Sequence, residues 1–358
     1  GEIHNPILPQ KMRKKQEEQH QPPMYDKHCR NLDPSQVQKQ LDSGLAHVVR
    51  MKIPENRKIV LKDVVSGTIE FDSNLIDDQV ILKSDGFPTY HLGVVVDDHL
   101  MEISHVFRGK EWISSTPKHI LLYEFFGWTM PVHGHLPLIL NADGKGKLSK
   151  RHGHASVDYY RTLGYLPEAV LNYLSHIVWN HPEGKEIYNL EEFIKLFEIE
   201  KITSQAPRFD LQKLDWINKE YIRAMPVEIL YERLVQFDSS IGALTKIKVL
   251  SVLPLIKERL KVLSEFWFLA GFLFEKPKKF ERPVENKLLS VASKALESSQ
   301  WNHSEMEKAI RDAAEKAGLK AKDVFMELRV AVTGKTVGPP LLESMIVLGK
   351  KDSLARIT

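Results

Sequence analysis

Residues 135–151, HLPLILNADGKGKLSKR, join an apolar run to a glycine-rich basic loop. The run HLPLIL (135–140) reads as a short buried strand. It feeds a segment that carries Lys145, Lys147, Lys150 and Arg151 beside Gly144 and Gly146. A loop this basic invites an anion. The P-loop pattern, GxxxxGK followed by Ser or Thr, is not met by this spacing. Lysine ammoniums on flexible stems, here Lys147 and Lys150, can still follow a polyphosphate as its charge moves. Gly144 and Gly146 are expected to make the segment mobile, and Ser149 adds a hydroxyl for a phosphate oxygen. On charge alone the competing reading is a solvated surface loop.

Working outward, the 358 residues predict two or three domains. Hydrophobic residues at 42% and charged residues at 27% give a globular balance, which excludes a fully disordered chain. No apolar run approaches the ~20 residues that span a membrane; LSEFWFLAGFLF (263–274) comes nearest. The single cysteine, Cys29, excludes an intramolecular disulfide and fits a reducing compartment. A net charge of +3 allows a nucleic-acid partner without demanding one. No secretory signal is visible. The chain begins Gly-Glu-Ile rather than with Met, and so reads as a fragment or processed form.

Residues 10–21 are charged and helix-favouring, and PPMYD (22–26) breaks that pattern. From 45 to 96, β-type runs HVVRMKI, IVLKDVV, TIEFD, QVILK and LGVVVDD alternate with turn residues. TPKHILLYEFFGW (116–128) reads as a helix entered at Thr-Pro and closed at Gly127. LPEAVLNYLSHI (166–177), NLEEFIKLFEI (189–199) and DLQKLDWINKEYI (210–222) share the helical period. Residues 226–358 are helix-like and net basic.

The order of residues in KLSKR (147–151), after HLPLILNADGKG, resembles the KMSKS-type signature of class I aminoacyl-tRNA synthetases. Longer blocks resemble the glutamyl branch, bacterial and organellar. They are PPMYDKHCRNL (22–32), LKSDGFPTYHLGVVVDDHLMEISHVFRGKEWISSTPKHILLYEFFGW (82–128), RFDLQKLDWINKEYIR (208–223) and LRVAVTGKTVGPPLLESMIVLGK (328–350). The resemblance implies an α/β Rossmann-like fold, partial in this chain, with an inserted α+β acceptor-binding domain. All-α stem-contact and anticodon-binding domains follow. The implied parts are 1–88, the inserted domain; 89–143, the second Rossmann half; 144–222, the signature loop and stem-contact helices; and 223–358, the anticodon domain.

The implied reaction is glutamate activation by ATP, with Mg2+, and transfer to the 3′ end of tRNA(Glu); charging of tRNA(Gln) as well is left open. Lys147, Ser149, Lys150 and Arg151 would serve the phosphates. Glu111 would contact ATP, and Ile139 would offer backbone groups to adenine. Tyr90 and Arg108 would hold L-glutamate, a planar guanidinium being suited to a carboxylate. His91 and Val94 would lie beside them, and relatives that carry an amide at one of these two positions would contact glutamate differently. Arg329, Thr333, Pro339 and Leu341 match positions that meet the anticodon. A monomer is expected, in a bacterial cytoplasm or an organelle, without a membrane.

Each residue also has a plainer reading. Arg108 and Glu111 could be a helix-surface pair, Tyr90 a core residue, and Gly334 to Pro339 an ordinary turn. Asp97 and Asp98 are read as structural, because this chemistry needs no acid–base dyad. HGH (133–135) is similar to the end of the HIGH signature, but is placed wrongly for it and reads as a loop leading into a strand. Cys29 and His28 do not make a zinc site, since Glu2 and His4 stand where some relatives have cysteines and Asn31 is a poor ligand. The family's HIGH motif and first Rossmann half precede the inserted domain, so the isolated chain is expected to charge weakly or not at all. The alternative is a non-catalytic tRNA-binding protein derived from a synthetase.

Overall fold

A computed structural model describes residue 14 and residues 16–20, 24–148 and 156–357. The chain divides into two compact units, residues 1–139 with 197–207 and residues 140–196 with 208–358. Of the charged stretch 10–21, Lys14 and Gln16–Glu18 are helical; residues 10–13, 15 and 21 lie outside the described residues.

In the first unit, helix α1 (Pro34–Asp42) starts at Asp33, whose carboxylate accepts the Ser35 N–H. Strands β1 (Val49–Arg50), β2 (Lys58–Asp63), β3 (Gly67–Asp72) and β4 (Val80–Leu82) follow. Then come helix α2 (Tyr90–Leu100), strand β5 (His105–Gly109), helix α3 (Thr116–Phe126) and strand β6 (Val132–Leu136). β1 pairs antiparallel with β4. The other strands form one mixed sheet in the order β3-β2-β6-β5, and both pairs made by β6 are parallel. Parallel neighbours need a crossover, and α3 supplies it between β5 and β6.

The sequence of β2, KIVLKD, alternates as a strand with one covered face should: Ile59, Leu61 and Asp63 are buried. The first two join Met51, Ile53, Val95, Ile120, Leu121 and Leu122 in the core. The third puts a carboxylate inside, at the end of the strand.

Two local expectations fail. LGVVVDD (92–98) is not a strand but lies within α2. Pro88 and Thr89 turn the chain, the Thr89 hydroxyl bonds the Val80 carbonyl at 3.0 Å, and Val95 enters the core. Burial overrides the β preference of branched residues. The strand expected at 135–140 lies instead at Val132–Leu136, since Pro137 has no N–H to extend the ladder. HGH (133–135) is therefore the buried interior of β6 and not a loop. Gly134 is required there: a β-carbon would come within 2.5 Å of the Phe107 ring on β5.

The second unit is helical after the basic loop. Its main helices are α4 (Val157–Leu163), α5 (Pro167–Val178), α6 (Leu190–Leu196), α7 (Leu211–Ala224), α8 (Val227–Phe237) and α9 (Lys246–Ile256). Beyond them lie α10 (Asn286–Ser298), α11 (His303–Lys316), α12 (Ala321–Thr333), α13 (Leu341–Leu348) and α14 (Lys350–Ile357). Pro167 opens α5 and the Asp210 side chain caps α7. In α7, Leu214, Ile217 and Ile222 recur on one buried face, with Asn218 between them. That amide accepts the Leu166 N–H at 2.8 Å and donates to the Lys261 carbonyl. Among the described residues no helix is long and apolar enough to cross a membrane.

Candidate active site

In the first unit the C-terminal end of β5 and the N-terminal end of α2 bring Arg108 and Tyr90 to one place. In α/β sheets the carboxyl ends of parallel strands are where ligands bind. Tyr90 is half exposed, with its ring 5.3 Å from Trp112 and 6.2 Å from His119, centroid to centroid. The plainer reading of Tyr90 as a core residue does not fit that exposure.

Arg108 is held along one edge. Its Nε donates to His135 Nε2 at 3.3 Å, and its Nη2 donates to Thr116 Oγ1 at 3.1 Å and to His119 Nδ1 at 3.3 Å. Nη1 has no partner among the described residues. A guanidinium anchored on one side and open on the other suits an incoming carboxylate. Thr116, His119 and His135 are buried, and Asp63 closes the set with a 2.6 Å bond to His135 Nδ1.

Electrostatics follow from this geometry. Burial first, then the Arg108 charge, pushes His119 down to about 3, so the ring is neutral. Burial also lowers His91 and His133. Burial raises the Asp63 carboxyl, but the bonds from His135 and from the Ser66, His135 and Val65 N–H groups outweigh it and leave it below its usual value. Burial raises Asp98, with Asp97 adding to the rise and Arg108 opposing it.

Glu111 follows Gly109 in the turn Lys110–Ser115 after β5. Its carboxylate lies over Gly109, where a β-carbon would be only 2.1 Å away. Ile139 is half-buried beyond the end of β6. Sequence reasoning missed Asp63, Thr116, His119 and His135. The signal was present in HGH, which places two histidines at strand spacing on one face, although that segment reads more readily as a loop.

In the second unit the described start of the basic loop, residues 141–148, is held by hydrogen bonds. The Asn141 N–H donates to the Gly146 carbonyl at 3.1 Å, and its side chain donates to the Lys145 carbonyl at 2.9 Å. Gly144 and Gly146 take φ of 74° and 75°, the left-handed region a turn of this kind needs. Leu140 bridges both Lys147 and Arg208. Lys147 is exposed beside them, whereas Ser149, Lys150 and Arg151 lie outside the described residues.

The second unit also brings Arg329, Thr333, Pro339 and Leu341 together around one turn. Arg329 Nη1 donates to the Pro339 carbonyl at 2.8 Å. The buried Thr333 hydroxyl donates to the Arg329 carbonyl at 2.8 Å and accepts the Lys335 N–H at 3.1 Å. Arg329 and Leu341 line a cleft of about 480 Å³ with His303, Arg311 and Phe325. A second cleft, about 890 Å³, carries Trp267, Phe268, Phe280 and Lys335. Lys335 Nζ sits 3.0 Å over the Phe268 ring.

Comparison with known proteins agrees with this picture. The family model for the catalytic domain of class I tRNA synthetases (E and Q) matches residues 8–216, and an anticodon-binding-domain model matches residues 212–358. A glutamate–tRNA ligase of Gloeobacter violaceus is 41% identical over 94% of this chain and 71% of its own length. One from Marinomonas sp. is 41% identical over 97% and 71%. The crystal structure of a glutamate tRNA ligase from Elizabethkingia meningosepticum, in complex with its amino acid, superposes with a TM-score of 0.84 at 31% identity. It covers 99% of this chain and 77% of that one. With two domain models in the expected order and similarity over nearly all of this chain at this identity, the chain belongs to the glutamate–tRNA ligase family of class I synthetases.

Proposed function

We propose that this chain takes part in ATP-dependent glutamylation of tRNA(Glu). Glutamate and ATP give glutamyl-adenylate and pyrophosphate; the glutamyl group then passes to the tRNA 3′ end. The observation that carries the reading is Arg108, fixed by its inner edge and open at Nη1 beside the exposed Tyr90 ring.

Arg108 receives a substrate carboxylate as a charge-assisted donor. Tyr90 walls the pocket. Glu111 and the Ile139 backbone take the nucleotide, and Lys147, Ser149, Lys150 and Arg151 stabilise the phosphates as pyrophosphate leaves. Both steps depend on positioning and charge stabilisation, so no side-chain nucleophile is invoked. Magnesium would enter with ATP; the described residues offer no cluster of three ligands for it, and no step is routed through it. Zinc is not part of the proposal. Arg329, Thr333, Pro339 and Leu341 form the anticodon-facing turn. The division of labour is 1–88 for the acceptor end, 89–143 and the loop for chemistry, helices to 222 for the stem and 223–358 for the anticodon. The chain acts as a monomer, in bacterial cytoplasm or an organelle, with tRNA(Gln) as the second acceptor to compare.

Calorimetric titration of L-glutamate into the full chain, with Arg108→Ala alongside, tests the reading. At least tenfold weaker binding by the variant is expected. Equal affinity in the two, or tighter binding of L-glutamine than of L-glutamate, overturns it.

A further inference from the structure

A guanidinium only donates hydrogen bonds, and this fixes the ring protons of the two histidines bonded to Arg108. His119 Nδ1 accepts from Nη2, so its proton is on Nε2. His119 Nε2 lies 2.9 Å from His91 Nδ1, which must accept that proton. On the other side, His135 Nε2 accepts from Arg108 Nε, so the ring's single proton is on Nδ1 and points to Asp63 Oδ2 at 2.6 Å. The Thr116 hydroxyl fits the same arrangement: it accepts from Arg108 Nη2 and lies 3.2 Å from His135 Nε2.

Asp63 can only be an acceptor here. Its Oδ1 takes the N–H groups of Val65 at 3.0 Å, Ser66 at 2.7 Å and His135 at 3.1 Å. Asp63, Thr116, His119 and His135 are all buried, so water does not relax the pattern. An imidazole with its proton on the wrong nitrogen would face Arg108 donor to donor.

We propose that Asp63 is a positioning residue for substrate-carboxylate binding: by holding the His135 proton on Nδ1, it keeps Nε2 an acceptor and fixes the inner edge of Arg108. The inference rests on the reading of Arg108 as the carboxylate-binding residue. Asp63 stands on β2, 45 residues before Arg108 in the sequence, and reaches it through one ring.

Asp63→Asn tests it with almost no change of shape. The amide keeps an oxygen for the backbone N–H groups and places an NH2 opposite His135 Nδ1. That pushes the imidazole proton to Nε2. Two readouts are taken on the full chain: histidine tautomers by NMR with 15N-labelled histidine, and L-glutamate affinity by calorimetry. The expected result is His135 changing from Nδ1–H to Nε2–H and glutamate binding about tenfold weaker, a loss of the size that outer-shell partners cause. Adding His135→Gln to Asp63→Asn restores affinity, because the glutamine oxygen takes the Nε2 place whatever Asp63 does.

An unchanged tautomer overturns the proposal. So does a changed tautomer with unchanged glutamate affinity, where Arg108→Ala still loses it. Arg108→Ala that binds glutamate as well as the parent overturns the functional reading instead. If Asp63→Asn fails to fold, His135→Gln and His135→Leu replace it: Gln retains the affinity and Leu loses about tenfold, whereas equal losses sink the idea.

Discussion

Arg108 and Arg329 are both held in place by hydrogen bonds, one in each unit, but by acceptors of different kinds. Arg108 meets two ring nitrogens and a hydroxyl, each of which accepts only when its proton lies elsewhere. Arg329 meets the Pro339 carbonyl, which accepts under any condition. The first arginine therefore depends on proton placement, and the second on backbone geometry. The distinction says which change should disturb each one: pH and carboxylate chemistry for Arg108, turn geometry for Arg329.

The largest effect is expected from pH. Unfolded histidine takes a proton near 6.5, but His119 does so only near 3. Between those values the unfolded state binds more protons, so stability rises with pH and is lost as pH falls from 6.5 towards 3. A group shifted this way removes about 1.4 kcal/mol per pH unit, or about 3 kcal/mol by pH 4.5. His91 and His133, also lowered by burial, act in the same direction. Urea midpoints at pH 7 and 4.5 measure the loss, and His119→Gln should flatten it. A slope unchanged by that substitution would break the contrast on the Arg108 side.

Gly334→Ala probes the other side. Gly334 has φ of 78°, and a β-carbon would meet the Lys279 carbonyl at 2.8 Å, so strain and collision fall on backbone that cannot swing aside. About 2 kcal/mol of destabilisation is expected, read from the denaturant midpoint with no pH dependence. A variant as stable as the parent would mean that the turn yields easily and does not define the Arg329 site.

What the sequence revealed divides along the same line. Pro167, Asp210, Gly127 and the Thr116-Pro117 entry act within a few residues of their own position, and each is legible. The whole helical second unit is readable for that reason. The resemblance named Tyr90 and Arg108, which the structure brings to one place. Val94 and Val95 misled because they pack in a core built with residues of β2 and α3, distant in sequence. Asp63 was invisible as a site residue for the same reason: its partner, His135, is 72 residues away. A carboxylate closing an alternating strand looks like a polar strand end until the sheet places it beside β6.

Arg329→Ala is expected to weaken binding of tRNA(Glu) by about 1.5 kcal/mol, roughly tenfold, and to erase discrimination against a changed anticodon. Filter binding at fixed salt measures it, since phosphate contacts make affinity salt-dependent. A uniform loss for both tRNAs would make Arg329 a phosphate contact and withdraw the anticodon assignment.

The smallest effect should come from a third arginine that looks well bonded. Arg57 donates two parallel bonds of 2.8 Å to the Glu124 carboxylate, better geometry than Arg108 enjoys. Both side chains are over two-fifths exposed. Water competes for each charge, and two long side chains lose freedom to pair, so Arg57→Ala should cost no more than about 0.5 kcal/mol. The carboxylate it leaves behind is simply hydrated. Arg108, with poorer distances but buried partners, has no such substitute, and removing one acceptor leaves a donor facing protein. If Arg57→Ala proved as costly as Gly334→Ala in denaturant, bond geometry rather than burial would rank these arginines, and the dependence of Arg108 on Asp63 would lose its physical basis.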